Sequence, residues 1–128
     1  VNLLGRIQSE HEFNDRNCIK VVCDLNGDAI YFSREPIPSK SKWGGQLPMW
    51  KQVCIIPFRR NYLLEFNNTP QTELEKIESI DMLRILENGG TVRMVKMPDH
   101  TVSVDTPGDL NRVSQLMEND SLMARYII

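Results

Sequence analysis

The chain has 128 residues, of which 41% are hydrophobic and 25% are charged, and its formal net charge is −2. A chain of this size can bury one core, and its mixed charges argue against nucleic-acid or anionic-membrane partners. No apolar run approaches membrane-spanning length, and no signal peptide is visible.

The first half of the chain is predicted to form mostly strands. Residues 1–13 are expected to form a short, polar-faced helix or a lead-in. Three strands are predicted, at residues 17–24, 29–33 and 50–57. Asn26-Gly27 is a strong two-residue hairpin signal between the first two. The Pro-, Gly- and Lys-rich residues 34–48 form a long loop of the kind used as a lid or an interface.

The second half is predicted to be mainly helical. The expected elements are helices at 59–67, 69–88 and 106–119, strands at 91–97 and 101–104, and a tail at 121–128. Thr72 and Glu75 have capping-box spacing, and Gly89-Gly90 is expected to end the helix that follows.

Three cysteines, Cys18, Cys23 and Cys54, lie in or beside the predicted strands. A zinc site would need a fourth ligand, and the two histidines lie at no helpful spacing. Buried, reduced thiols are therefore expected, and they indicate a cytoplasmic protein.

The predicted helix at 69–88 is apolar almost all round, which leaves little polar surface for Glu78, Asp81 and Arg84. Charges in such surroundings are costly unless they are paired or bind a ligand. Two interpretations remain open here. One is an internal pair of Arg84 with Asp81 or Glu78, and the other is a ligand site.

Residues 100–110 predict a short strand that ends on Asp105 and turns directly into a helix. Thr106 suits the N-cap, Pro107 the first helical position, and Asp109 the capping-box carboxylate. Ligands of open α/β sheets bind at the carboxyl ends of strands, where a carboxylate suits a hard metal ion carrying phosphates. Asp105 is therefore either a metal ligand or only part of the cap.

The order of several segments resembles the CMP-Kdo synthetase family, whose members join CTP to 3-deoxy-manno-octulosonate and release pyrophosphate. The resemblance runs from about residue 9 to residue 117. Its most specific pieces are Tyr-Phe-Ser-Arg-Glu-Pro-Ile-Pro at 31–38 and Val-Asp-Thr-Pro at 104–107, and further matches lie at 13–17, 19–22 and 74–78.

The resemblance implies an α/β, three-layer, Rossmann-like nucleotidyltransferase fold with a mixed, mainly parallel sheet. The family's phosphate-gripping loop and second metal-binding Asp have no counterpart here, because Gly5-Arg6 lacks phosphate-loop spacing. Residues 1–128 are therefore expected to be the C-terminal half of one cytidylyltransferase domain. This half would carry the sugar site and the dimer surface, without the CTP-binding half.

The resemblance also implies site roles. Asp105 would be the catalytic Mg²⁺ ligand. A lone Arg at the end of a strand is usually a solvated charge. The resemblance implies instead that Arg34 would bind the sugar acid's carboxylate. Gln52 and Asp81 would orient its hydroxyls. Gln52, Ile56 and Met82 stand where the family has His, Tyr and Gln, and Asp81 stands for a Glu, so a modified or different sugar acid is expected.

The expected function is thus transfer of CMP from CTP to a Kdo-like sugar acid by a cytoplasmic homodimer that makes lipopolysaccharide precursors. The chain alone is expected to be inactive. The alternative is a non-catalytic dimerisation and binding module, because Trp43, Pro48, Met49 and Trp50 form an apolar segment suited to self-association.

Overall fold

The computed structural model describes residues 1–42, 49–98 and 100–126. The elements in chain order are β1 (Asn2–Arg6), α1 (Glu10–Asn14), β2 (Lys20–Cys23), β3 (Ala29–Ser33), β4 (Trp50–Val53), α2 (Arg60–Asn68), α3 (Glu73–Glu78), α4 (Met82–Glu87), β5 (Met94–Lys96), α5 (Pro107–Glu118) and a 3₁₀ turn (Met123–Arg125).

The strands form one open sheet in the order β3-β2-β4-β1-β5. β1 pairs in parallel with β5, and the other pairings, β1 with β4, β4 with β2 and β2 with β3, are antiparallel. The predicted α/β class with a mixed sheet is confirmed. Parallel pairing, expected to dominate the whole fold, is the minority in the part that the structure describes.

β1 corrects the prediction for residues 1–13. Residues 2–6 form a strand in the interior of the sheet, and only Glu10–Asn14 is helical. Asn2 is fully buried although its side chain is polar, so the sequence shows no clean apolar alternation there. The partners that make β1 a strand lie far along the chain, opposite Trp50 and Met94.

The hairpin between β2 and β3 is confirmed, with a longer loop than the two residues predicted. Asp24 N donates to Asp28 O at 2.8 Å, and Gly27 N donates to Asp24 O at 3.1 Å. Gly27 has φ +86°, in the left-handed region. A type I turn followed by a left-handed glycine is the usual three-residue hairpin loop.

The helix predicted at 69–88 is broken into α3 and α4. Ser79 ends α3 in the left-handed conformation, with φ 55° and ψ 50°. Only the carboxylate half of the predicted capping box forms a hydrogen bond: Thr72 N donates to Glu75 Oε2 at 3.2 Å, whereas Glu75 N donates to Glu87 Oε2 and Thr72 Oγ1 has no partner among the described residues. Gly89, with φ +72°, follows the C-cap of α4. Gly90 lies so close to Ile85 and to the Tyr62 hydroxyl that a Cβ would meet atoms at 2.8 to 3.0 Å. The sequence pattern thus predicts the C-terminal end correctly, places the N-terminal end four residues too early and misses the bend between α3 and α4.

The core lies between the sheet and the α3–α4 pair. Its most buried members are Val21, Phe32, Ile80, Met82, Leu83 and Val92, each 2% exposed or less. Burying apolar side chains of this size is the main favourable contribution to folding, and here it holds α4 against β3.

Two predicted strands differ from the structure. β4 ends at Val53, and Cys54 and Ile55 beyond it are exposed. Residues 101–104 form no strand, whereas α5 begins and ends within one residue of its prediction. Trp43 and Gly44-Gly45 lie outside the described residues. No helix in the described ranges is long and apolar enough to cross a membrane.

Candidate active site

A cavity of about 80 Å³ lies between α1, the loop before β2, β4 and the start of α5. It is lined by His11, Glu12, Asp15, Asn17, Cys18, Ile19, Lys51, Gln52, Cys54, Val102, Ser103, Asp105, Asp109 and Arg112. The structure therefore brings together two of the predicted site residues, Gln52 and Asp105.

Gln52 is 8% exposed, and its side-chain Oε1 has no hydrogen-bond partner among the described residues. Its backbone N–H donates to Ile19 O at 2.8 Å, which ties β4 to the residue before β2. A buried amide oxygen without a partner is costly, so this acceptor is available to a donor that enters from the cavity.

The wall of the cavity is held by a buried ion pair. Lys51 Nζ donates to Glu12 and, at 2.5 Å, to Thr101 O. Burial acts to raise the pKa of Glu12, but hydrogen bonds from Lys51 and from Gln8 N–H outweigh it and hold that pKa below its usual range. The pair fixes the segment that leads to Asp105 against β4.

Asp105 lies at the predicted corner, but no strand leads into it. Thr106 Oγ1 accepts from Asp109 N at 3.2 Å, and Asp109 Oδ2 accepts from Thr106 N at 2.9 Å, so these two side chains form the capping box. Asp105 contributes only its backbone N–H, to Asp109 Oδ2 at 3.3 Å. Asp105 thus takes part in the cap through its backbone, whereas its carboxylate makes no capping bond. That carboxylate is exposed and accepts no bond from the described residues.

Arg34 follows β3 directly and is half-buried. Its Nε donates to Glu78 O at 2.7 Å, Nη2 to Ser79 O at 3.1 Å and Nη1 to Arg16 O at 3.0 Å. Asp15 and Asn17, on either side of Arg16, line the cavity. The guanidinium is therefore an ordered group, which corrects the reading of Arg34 as a solvated charge, but Arg34 is not among the residues that line the cavity.

Asp81 lies apart from the cavity. It is exposed at the start of α4, in a separate hollow that includes Ser79 and Lys76. The predicted ion pairs of Asp81 or Glu78 with Arg84 are wrong. The bend at Ser79 separates Glu78 from Arg84, and Asp81 forms no ion pair in the described ranges although Arg84 N donates to its carbonyl at 3.1 Å. Arg84 instead pairs with Glu75, and Glu78 accepts bonds from the end of β3.

Lys20 is a site residue that the sequence reasoning missed. It is fully buried, and its Nζ donates to Asp15 O at 2.8 Å, Cys18 O at 2.6 Å and Arg34 O at 2.5 Å. Burial lowers the pKa of this amine. A lysine inside the apolar run Ile19–Val22 was the available signal, because a strand rarely buries a lysine without acceptors for its ammonium group.

The cysteines contribute no ligand cluster in the ranges described: no three His, Cys, Asp or Glu side chains there are placed to hold a metal ion. Cys18 and Cys23 are half-buried, Cys54 is exposed, and all three are free thiols. Burial, and then the nearby Glu12 carboxylate, raise the pKa of Cys18 to about 11, so this thiol stays protonated at neutral pH.

Comparisons with known proteins agree with this architecture. A 3-deoxy-manno-octulosonate cytidylyltransferase of Geobacter sulfurreducens is 40% identical over 126 residues, covering 91% of this chain and 50% of the relative. One of Solibacter usitatus is 42% identical over 116 residues, covering 91% of this chain and 46% of the relative. The chain thus spans about half the length of the curated relatives it matches.

A solved structure of CMP:2-keto-3-deoxy-manno-octonic acid synthetase complexed with CTP superposes with a TM-score of 0.78 at 32% identity. The match covers 91% of this chain and 48% of that one. The sequence model of the Cytidylyltransferase family matches residues 1–101. The chain therefore belongs to the cytidylyltransferase family.

Proposed function

We propose that this chain is the sugar-acid-binding, C-terminal half of a cytidylyltransferase that transfers CMP from CTP to a 2-keto sugar acid and releases pyrophosphate. The acceptor would be 3-deoxy-manno-octulosonate or a close variant, for lipopolysaccharide or surface-polysaccharide precursors. The names of the relatives support the reaction class. The observation that carries the proposal in this chain is the ordered Arg34 guanidinium, which bonds to the carbonyl of Arg16, between the cavity-lining residues Asp15 and Asn17; Gln52 and Asp105 line the same cavity.

In this reaction the oxygen of the sugar's anomeric hydroxyl attacks the α-phosphorus of CTP. The bond from that phosphorus to the bridging oxygen breaks, pyrophosphate leaves, and the hydroxyl proton passes to solvent. Little covalent chemistry is left to the protein, so its contribution is positioning and electrostatic stabilisation.

Each predicted residue has a role that its surroundings suit. Arg34 would bind the acceptor carboxylate, because a guanidinium fork matches the two oxygens. Gln52 would accept a sugar hydroxyl on its unpartnered Oε1. Asp81 would reach the sugar from the neighbouring hollow, which shares Ser79 with the Arg34 network.

Asp105 fits a magnesium ligand of the kind that works with nucleotides. Mg²⁺ is commonly held by one or two carboxylates together with phosphate oxygens and water. The exposed, unengaged Asp105 carboxylate suits that arrangement, and the described residues offer no all-protein cage. The ion, when bound, would supply positive charge to the phosphoryl oxygens and lower the pKa of the attacking hydroxyl.

The test is a pyrophosphate-release assay on the protein in full, with CTP, Mg²⁺ and a panel of 2-keto sugar acids. We expect turnover with 3-deoxy-manno-octulosonate or a variant that differs in the hydroxyls facing Gln52 and Asp81. No turnover with any acid on the panel would contradict the proposal and favour a dimerisation and binding module.

The same assay with residues 1–128 alone should give no turnover, and calorimetry should detect no CTP binding by this chain. A lone carboxylate repels a triphosphate unless a metal ion intervenes. Micromolar CTP binding by residues 1–128 would show that the base and triphosphate contacts lie within them and would overturn their assignment as the sugar-binding half.

A further inference from the structure

The carboxylate of Glu78, at the end of α3, fixes the end of β3. Its Oε2 accepts from Arg34 N at 2.9 Å, and its Oε1 accepts from Ser33 Oγ at 2.8 Å and from Tyr31 OH at 3.2 Å. Two alternate residues of β3, Tyr31 and Ser33, and the residue after the strand, Arg34, are therefore all bonded to the Glu78 carboxylate.

The guanidinium of Arg34 is held by main-chain carbonyl oxygens at the junction between α3 and α4. In a continuous helix, Glu78 O and Ser79 O would accept from the N–H groups four residues later. The left-handed conformation of Ser79 ends α3, and Leu83 N donates to Ile80 O instead. The two carbonyls are thus available to Arg34 Nε and Nη2.

These contacts hold the Arg34 side chain in place but do not neutralise its positive charge. Its three side-chain acceptors are neutral carbonyls, and no carboxylate lies within ion-pair distance of it in residues 1–42, 49–98 and 100–126. Of the five N–H bonds of a guanidinium, one on Nη1 and one on Nη2 have no acceptor there. The result is a fixed positive charge with two donors to spare.

We propose that Glu78 is a positioning residue for recognition of the substrate carboxylate. By holding the main chain of Arg34 and placing the Glu78 and Ser79 carbonyls behind its guanidinium, it directs the two remaining donors at the sugar acid. The inference deepens the proposed function and rests on it, and it assigns to Glu78 no contact with substrate.

The test compares 3-deoxy-manno-octulosonate with its uncharged methyl ester as acceptors in the full protein. Wild type should prefer the acid. Glu78→Ala should reduce that preference about ten- to hundred-fold, the size expected for a misplaced charge-assisted hydrogen bond. The KM for CTP should stay within about two-fold, since a mispositioned Arg34 affects only the acceptor.

Two variants control for general loss of structure. Glu87→Ala removes another carboxylate of this region, which accepts from Leu74 N and Glu75 N and has no hydrogen bond to Arg34 or to β3, and it should leave the acid preference unchanged. Glu78→Gln keeps an oxygen for Arg34 N and an N–H for Ser33 Oγ, and it should restore most of the preference. A Glu78→Ala protein that keeps the wild-type preference, or a Glu87→Ala protein that loses it equally, would overturn the inference.

An NMR measurement tests the same inference without turnover. In ¹⁵N-labelled wild type the Arg34 Nε–H should exchange slowly with water and shift when 3-deoxy-manno-octulosonate is added. In Glu78→Ala it should exchange rapidly. Slow exchange in both proteins would show that Glu78 does not hold the guanidinium. If wild type shows slow exchange but no CMP transfer to any sugar acid, the proposed function fails while the positioning by Glu78 stands.

Discussion

Arg84 and Glu75 form a two-bonded ion pair across the bend between α3 and α4: Arg84 Nε lies 2.7 Å from Glu75 Oε2, and Nη2 lies 2.5 Å from Oε1. Arg84 Nη1 also donates to the carbonyls of Phe66 and Thr69, and the guanidinium lies 4.3 Å from the centre of the Phe66 ring. One side chain thereby joins α2, α3 and α4.

We expect Arg84→Met to lower the free energy of unfolding by about 3–5 kcal/mol, because it leaves the buried Glu75 carboxylate without its partner. Arg93→Met is a matched control: Arg93 pairs with Asp28, but its side chain is 54% exposed, against 12% for Arg84. Its loss should cost about 1 kcal/mol or less. Urea unfolding of both variants measures the difference, and equal costs would show that burial does not decide the value of these pairs.

The same pair predicts a pH dependence of stability. The hydrogen bonds from Arg84 hold the pKa of Glu75 below its usual value of 4.5, and burial opposes them only in part. A carboxyl whose pKa is lowered by folding stabilises the protein above its unfolded pKa and loses this contribution as the pH falls through its folded pKa. Wild type should therefore lose stability on acidification below about pH 4.5. In Arg84→Met the stabilisation at neutral pH should be absent, and a wild-type acid profile in that variant would contradict the assignment.

Asp105→Asn should reduce turnover of the full protein by orders of magnitude while leaving its thermal unfolding unchanged. The carboxylate makes no bond within the described part of the chain, so the fold does not need it, whereas a magnesium ligand would be lost. Asp109→Asn should give the reverse pattern, because the Asp109 carboxylate closes the capping box at the start of α5. Near-normal turnover of Asp105→Asn would eliminate Asp105 as a metal ligand.

The cysteines should react with thiol reagents at different rates. Cys54 is exposed and should be modified within the dead time of a manual assay, whereas Cys18 is half-buried with a pKa of about 11 and should react much more slowly until the protein unfolds. Titration with a chromogenic disulfide, before and after adding denaturant, counts the fast-reacting and the slow-reacting thiols. A Cys54→Ser variant that still shows a fast thiol at position 18 would mean that the cavity wall opens.

We also expect the full protein to be a homodimer joined through the segment around Trp43 and Trp50. Trp43 lies outside the described residues, and Trp50 packs against the core with Lys96 Nζ 5.0 Å from its ring. Trp50→Ala should therefore be measured by mass in solution together with thermal unfolding, so that loss of association is separated from loss of core packing. A folded wild-type protein that stays monomeric at high concentration would refute the prediction.

Features set by a few neighbouring residues could be predicted from sequence. The Asn26-Gly27 hairpin and the capping box at Thr106 depend on local hydrogen bonds, and both are present, as is the carboxylate half of the box at Thr72. β1 was missed because its strand character comes from β4 and β5, far along the chain. Residues 101–104 were taken for a strand because their pattern is extended, although no ladder partner lies in the described ranges.

Much of the site could not be predicted from the sequence, for the same reason. The sequence pattern at residues 100–110 indicates Asp105 and the resemblance indicates Arg34, but the partners of Arg34 and Arg84 are not predictable from spacing. Both networks depend on the left-handed Ser79, which no local signal marks, since serine rarely adopts that conformation. The left-handed backbone conformation of Ser79 thus determines which charged side chains lie close together.

The position of β1 has a consequence for the order in which the chain can fold. Its neighbours on the two sides are β4 and β5, so Asn2 meets Met94 across most of the chain. During synthesis the β2–β3 hairpin can form early, but β1 cannot pair with β4 until residue 53 has left the ribosome, and its other side stays unpaired until residue 96 has left it. Contacts of such long sequence separation slow folding and leave strand edges open to other chains in the meantime. Truncated proteins that lack β5 should therefore aggregate before any loss of catalytic activity can be measured.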